Sequence, residues 1–450
     1  MTPSDPLAQL RSGSYVRLLV LAAIIGVPIS AAAYWFLALV SKAQGWVFTS
    51  LPRGLGFPSE PLWWPVPVLA LAGMLVGLAI RYLPGEGGRS PAEGFSAGEG
   101  PPSPAELPGV VLAALATLCL GVVLGPEAPL IALGGGLGVC AVRLAKRDAP
   151  RRTAAVVSSA GSFAAISALL GSPLLGAFLL MEASGLGGAT LELVLLPGLL
   201  AAGLGSLVFI GLDAWTGLGT FSLALPGLPH VAAPDAAEFG WALVIGVAAA
   251  VAGSGIRRFA LLLRPRVDRR ILLAAPVAGL AIAGLAVIFA AATGKGTSEV
   301  LFSGQEGLGP LISHSRAYTV GALLLLLACK SLAYGTSLSS FRGGPIFPAM
   351  FIGAAGGIAM SHLPGLPLVP GVAIGIGSMA AVMLRLPMTS VLLATLLLAS
   401  DGLAVMPLAI VAVVVAYVVA ARLAPRPGGT GESAGSHGAT ATAGLPEAPG

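Results

Sequence analysis

Glu127 is the residue of this chain whose surroundings best suit it to chemistry. It stands in Gly125-Pro126-Glu127-Ala128-Pro129, ahead of an apolar run from Leu130 to Gly138. The prolines break the chain before a helix starts. The carboxylate therefore lies in a first helical turn, beside unpaired backbone N–H groups and the positive end of the helix dipole. A free anion is drawn to the same groups. An ionised glutamate there can occupy an anion site, and a protonated one can leave it. In a soluble protein the same side chain would only stabilise the dipole; within lipid a charge is costly and marks function. Glu182, Glu192 and Asp401 are the other main acids inside apolar sequence.

A second helix start matches the first. In SSFRGGPIFPAMF (339–351), Gly343, Gly344 and Pro345 precede Ile346 and Phe347. GPEAPLIALG (125–134) and GPIFPAMFIG (344–353) share G-P-x-x-P-x-x-x-x-G, and LGSPLLGAFLLMEAS (170–184) resembles LRLPMTSVLLATLLLAS (384–400). The offsets, 219 and 214 residues, keep the two elements in order and nearly in register. Such an internal repeat of broken helices points to a transport site between inverted halves. Two helix starts aimed at one midplane point form a cage of N–H groups without a full counter-charge. A monovalent anion binds such a cage and also leaves it.

A third glycine-rich break, PGEGGRSPAEGF (84–95), offers Arg89 and the Ser90 hydroxyl. Arg89 is either a loop residue snorkelling to the interface or a fixed positive charge near an anion path. His230, His314, His362 and His437 share no metal-binding spacing, and Cys119, Cys140 and Cys329 read as buried free thiols. No metal or cofactor is expected.

The elements that position these residues are membrane spans. The chain is 56% hydrophobic and 10% charged, against about 25% charged in soluble domains. Long spans read at 18–41, 62–82, 106–124, 188–213, 238–263, 271–293, 317–337 and 404–421. Shorter or Gly/Pro-broken apolar pieces read at 126–142, 154–170, 173–184, 344–360 and 371–400. The net charge of +5 does not indicate nucleic acid, because the basic residues collect in two linkers. One holds Arg143, Lys146, Arg147, Arg151 and Arg152, the other Arg257, Arg258, Arg264, Arg266, Arg269 and Arg270. The positive-inside rule makes both cytoplasmic. The organisation expected is a cytoplasmic segment at 1–17, a transmembrane domain at 18–421 with halves of about 18–213 and 238–421, and a disordered tail at 422–450.

These motifs resemble a known family. GPEAP is similar to the G-x-E-G-P signature of the CLC chloride channels and proton/chloride antiporters. SSFRGGPIFP resembles the family's G-x-F-x-P with its preceding S-S-G-x-x-G-G, and GEGGRSP stands where the family has G-S-G-I-P. IGIGSMAAVMLRLPMTSVLLATLLL (374–398) looks like the second-half core, so the resemblance covers roughly 18–421 in order. It implies an all-α polytopic membrane fold, with two inverted-topology halves and re-entrant helices, in a plasma-membrane homodimer with one pore per subunit. It puts Glu127 on the gating glutamate, and Ile346 and Phe347 on backbone amide donors to chloride. The chain also departs from the pattern. Ala128 replaces the second glycine of G-x-E-G-P, and the G-x-F-x-P region reads Pro345-Ile346-Phe347-Pro348-Ala349. The central filter serine falls on Gly88, with Ser90 nearby as a substitute, and the inner-gate tyrosine falls on Gly402. The antiporters' internal proton glutamate falls on Ala183, beside Glu182, the candidate for a displaced proton path.

The expectation is transmembrane transport of chloride or a similar small monovalent anion, gated by a protonatable glutamate and weakly coupled or uncoupled to protons. A proton-coupled chloride or fluoride antiporter is the alternative. An intramembrane enzyme would need a Ser/His, paired-Asp or metal set, and none is legible. A non-transporting scaffold would not need Glu127 between two prolines.

Overall fold

Backbone in lipid has no water to bond, so a spanning segment must satisfy its own N–H and C=O groups, which a helix does. A computed structural model describes residues 11–95, 100–146, 151–184, 189–218, 233–398 and 402–424, without the side chains of 151–152 and 189–192. The first ten residues and the expected tail beyond 424 lie outside that description, as do Arg147 and Asp401. Among the described residues the regular structure is helical, with one isolated β-bridge and no strand.

The first half runs α1 (Gly13–Gly45, continued through a π turn to Gly54), α2 (Pro65–Tyr82), α3 (Leu107–Cys119), α4 (Glu127–Ala145), α5 (Arg151–Leu170), α6 (Pro173–Ser184) and α7 (Ala189–Thr216). The second runs α8 (Ala236–Arg269), α9 (Ile271–Thr293), α10 (Gln305–Ser313), α11 (Val320–Ser340), α12 (Ile346–Met360), α13 (Leu368–Leu384), α14 (Pro387–Leu397) and α15 (Gly402–Leu423). Nine helices among the described residues are long and apolar enough to cross a membrane. Many of their outward side chains are large, apolar and exposed, such as Leu273, Val277 and Ile288 on α9. A soluble protein would bury them; here they face hydrocarbon.

Some expected boundaries move. The span at 106–124 is the thirteen-residue helix α3 followed by non-helical chain, because Gly121 takes φ +88 and ends it. The pieces at 126–142 and 154–170 belong to α4 and α5, both of spanning length. The basic residues from Arg257 to Arg269 are not a linker: α8 continues through them, and the turn to α9 is Arg270 alone.

Helix packing repeats the internal symmetry. In the first half α4 crosses α5 where a Cβ on Gly134 would stand 2.3 Å from the Gly161 carbonyl oxygen. In the second half α12 crosses α13 where a Cβ on Gly357 would stand 2.0 Å from the Gly371 oxygen and one on Gly375 2.1 Å from the Gly353 oxygen. Small residues let helix backbones touch, which is how helices associate without a hydrophobic driving force. Gly357→Ala should therefore destabilise the folded protein by about 1–3 kcal/mol through overpacking, read as a lower Tm in detergent. Gly284→Ala, whose Cβ would meet nothing within 4 Å, is the control and should be neutral. Equal Tm values for the two variants would refute this account of the crossing.

Candidate functional site

The two broken-helix motifs meet. Gly125 N–H donates to the Gly344 carbonyl at 2.7 Å, and Gly344 N–H donates back to the Gly125 carbonyl at 2.6 Å, forming the isolated antiparallel bridge. Helices α4 and α12 start immediately beyond it. Pro126 and Pro345 are their N-caps, and Pro129 and Pro348 remove a third donor from each first turn. Free N–H groups thus remain on the two residues after each cap.

Glu127 is fully buried at this junction, and its Oε1 accepts a hydrogen bond from Phe347 N–H at 2.8 Å. The N–H groups of Ile346 and of Glu127 itself also face the carboxylate, without a geometry that makes full hydrogen bonds. Oε2 is buried with no hydrogen-bond partner among the described residues. It fits only because both bridge residues are glycine: a Cβ on Gly344 would lie 1.7 Å from Oε2 and one on Gly125 2.2 Å. Glu127 and Ile346 are equivalent positions of the repeat. The carboxylate of one half therefore occupies the donors at the helix start of the other, as a small anion would.

Neighbouring elements hold this junction. The buried Tyr334 hydroxyl on α11 donates to the Pro345 carbonyl at 2.8 Å, fixing the residue that caps α12. Phe302 N–H donates to the Gly121 carbonyl at 3.0 Å, anchoring the chain that leads to Gly125. That Phe302 loop is held by the buried Lys330 ammonium, which donates to the carbonyls of Glu299 and Leu301 at 3.0 Å and of Phe302 at 3.4 Å.

A cavity of about 1400 Å³ approaches the junction, lined by Gly88, Arg89, Ser90, Ala128, Pro129, Arg342, Gly343 and Pro345. Arg264, Asp268 and Ile271, which flank the basic turn between α8 and α9, also line it. Glu127, Ile346 and Phe347 do not line it themselves, but their chain neighbours Ala128, Pro129 and Pro345 do.

The other sequence candidates divide. Ser90 is buried with its hydroxyl donating to the Leu338 carbonyl at 3.5 Å, and Arg89 is exposed at the cavity. Gly88 takes φ 91 and ψ −174, a region essentially reserved for glycine, so its backbone bars the filter serine. Gly402 begins α15 where a Cβ would stand 2.0 Å from the Thr395 oxygen, which likewise bars a tyrosine. Glu182 is not brought to Glu127's junction. Its oxygens accept from Met388 N–H at 3.0 Å, Thr389 N–H at 2.8 Å and the Thr389 hydroxyl at 2.7 Å, capping α14 from α6. Sequence reasoning overlooked Tyr334, Lys330 and Arg342. The two cations carry a signal in the sequence, charge inside or beside an apolar run. Tyr334 carries none.

Comparison with known proteins places the chain. The sequence profile described as voltage-gated chloride channel matches residues 72–421. The YfeO protein of Salmonella schwarzengrund, provisionally named for ion transport, is 30% identical over 410 residues, covering 89% of this chain and 93% of that one. A slow cyanobacterial chloride/proton antiporter superposes with a TM-score of 0.73 at 21% identity, over 90% of this chain and 95% of the other. A CLC-type fluoride/proton antiporter superposes with a TM-score of 0.62 at 20% identity and the same coverage.

The cap at Glu182 makes a prediction of its own. Glu182→Ala frees two first-turn N–H groups of α14 and should cost about 1–2 kcal/mol, lowering the Tm, whereas Glu182→Gln keeps an acceptor and should cost less. An unchanged Tm in Glu182→Ala would remove the capping role.

Proposed function

The chain belongs to the voltage-gated chloride channel (CLC) family of integral membrane anion-transport proteins, and on that premise we propose that it carries chloride or a similar small monovalent anion past Glu127, which acts as a protonatable gate. One observation carries the reading: the Glu127 carboxylate occupies the Phe347 amide at 2.8 Å where the two helix starts meet. Ionised, it takes the place of the anion. Protonated, it loses its charge–dipole attraction to the two helix ends and gives way. Ile346 and Phe347 then donate to the anion through their backbone. In lipid such a site favours an anion because its donors are uncompensated dipoles rather than full charges, so the ion is bound without being trapped. A homodimer in the plasma membrane, one pore per subunit, is part of the proposal.

We read transport as weakly coupled or uncoupled to protons. A coupled exchanger needs a carboxyl that loads protons from the inner solution apart from the anion route. The matching position is Ala183, and the adjacent Glu182 spends its oxygens on the start of α14. A tyrosine that would close the inner end is barred at Gly402 by the Thr395 carbonyl. The second reading, proton-coupled exchange, rests on the two solved neighbours, a chloride/proton and a fluoride/proton antiporter.

Efflux from proteoliposomes tests the gate. Wild-type flux should depend on pH, while Glu127→Gln and Glu127→Ala should both conduct with most of that dependence gone. A pH profile unchanged in both variants would return Glu127 to a purely structural role.

Coupling is tested in the same vesicles with a chloride gradient at symmetric pH. Little uphill proton movement is expected. Robust proton pumping that survives Glu182→Gln would contradict uncoupled conduction outright. Pumping abolished by that change would put the proton site on Glu182 and favour exchange.

A further inference from the structure

The most buried charged residue lining the cavity is Arg342, and the proposed gate does not use it. Its side chain is 8% exposed. The loop at 84–88 is shaped to receive one edge of it: Gly85, Glu86, Gly87 and Gly88 all have positive φ, which turns carbonyls toward the guanidinium. Nε donates to the Gly88 carbonyl at 2.8 Å and the Glu86 carbonyl at 3.3 Å, and Nη1 donates to the Phe341 carbonyl at 3.3 Å. Nη2 has no hydrogen-bond partner among the described residues, and the residue lines the cavity.

A buried cation normally finds a carboxylate, yet none of the described acids lies within salt-bridge distance of Arg342. The acids that line the cavity with it make their close contacts elsewhere. Glu93 and Asp268, 48% and 54% exposed, pair with Arg264 at 2.5 and 3.4 Å, and Glu106 accepts from Ser103 N–H at 2.8 Å. Glu86 is exposed, with its backbone carbonyl rather than its carboxylate on Arg342. The exposed part of the lining thus carries paired charges, with Asp268, Glu86 and Glu93 acting on Arg342 only at longer range, and the buried part carries one cation whose three side-chain hydrogen bonds go to neutral carbonyls. Gly343 and Pro345, which lead into the α12 start, line the cavity beside it.

We propose, resting on the anion-transport reading, that Arg342 is an anion-binding residue at the inner end of the route. The transported anion is its missing counter-charge before it reaches the helix starts. Nη2 and the second hydrogen of Nη1 form a planar fork that matches an oxyanion bidentately, whereas a spherical halide meets it as a point charge. The subsite therefore prefers nitrate to chloride.

Calorimetric titration of the purified, full-length protein with sodium nitrate and sodium chloride tests this, paired with efflux of both anions from proteoliposomes. Arg342→Gln should weaken nitrate binding by about tenfold or more, the loss expected of a charge-assisted hydrogen bond. Since Arg342 also seats the 84–88 loop, Arg342→Lys is the second variant: it keeps the charge and a donor for Gly88. It should retain chloride binding and lose the nitrate preference. Wild-type flux together with nitrate binding unchanged in Arg342→Gln, or with a nitrate preference unchanged in Arg342→Lys, overturns the inference and leaves the transport reading standing. Arg342-dependent binding without flux of either anion upholds the inference and overturns the transport reading.

Discussion

The reciprocal pair of hydrogen bonds between Gly125 and Gly344 is the contact on which the rest of this structure depends. Helix breaks at membrane depth leave N–H and C=O groups that lipid cannot satisfy. Here each break satisfies the other, at 2.7 and 2.6 Å. The two glycines are equivalent positions of the internal repeat, and an antiparallel bridge between equivalent residues is what a two-fold axis through that point produces. The bridge joins the two helix starts directly, and Tyr334 and the Phe302 loop brace the chain on either side of it. Neither half could form the site alone, because each supplies only one break and one set of donors.

The same contact sets the state of Glu127. With hydrogen on both bridging Cα atoms there is room for a carboxylate; with a methyl group on either there is not. Its polar partners are few: one aligned amide, nearby unaligned ones, and two dipole ends. Burying a carboxylate with several aligned donors and a cation would lock it in place. Leaving Oε2 unpaired weakens its hold on the site, as the displaceable gate proposed above would require. The scaffold around it is stiffer. Tyr334 ties the cap of α12, and Lys330 acts at one remove through the Phe302 loop. Those side chains fix backbone, and neither hydrogen-bonds the Glu127 carboxylate.

Much of this was legible in the sequence because lipid narrows the choices. Composition required membrane helices, and the proline-glycine motifs at 125–134 and 344–353 located both breaks and their equivalence. The resemblance to the chloride channel family rested on those same residues. Boundaries were less legible where apolar sequence runs on. Nothing in hydropathy separates α3 from the extended chain after Cys119, since Val122, Val123 and Leu124 are as apolar as the helix. Nor did charge reveal that α8 continues to Arg269, because a helix emerging from lipid can carry arginines as readily as a loop. Glu182 illustrates a different limit. Its proximity to a family position in sequence suggested proton chemistry, whereas its partners, the first-turn amides of α14, lie 206 and 207 residues away.

The departures from the family pattern are better understood as a rebuilt inner route than as decay. A serine lost by drift would leave a position able to take it back, but Gly88 sits at φ 91 and ψ −174, where a side chain is strained. A tyrosine lost by drift would leave space, but Gly402 packs against the Thr395 carbonyl. Both glycines are held by backbone geometry that itself serves the structure. The Gly88 conformation directs its carbonyl at Arg342, and the contact at Gly402 brings the start of α15 onto the end of α14. At Gly88 the geometry that excludes a serine is the one that seats the guanidinium; at Gly402 it is helix packing that excludes a tyrosine. If the proposed route runs past these glycines, exchanging a hydroxyl and a phenol for a buried cation would select anions by charge more than by constriction, in keeping with the gate proposed at Glu127.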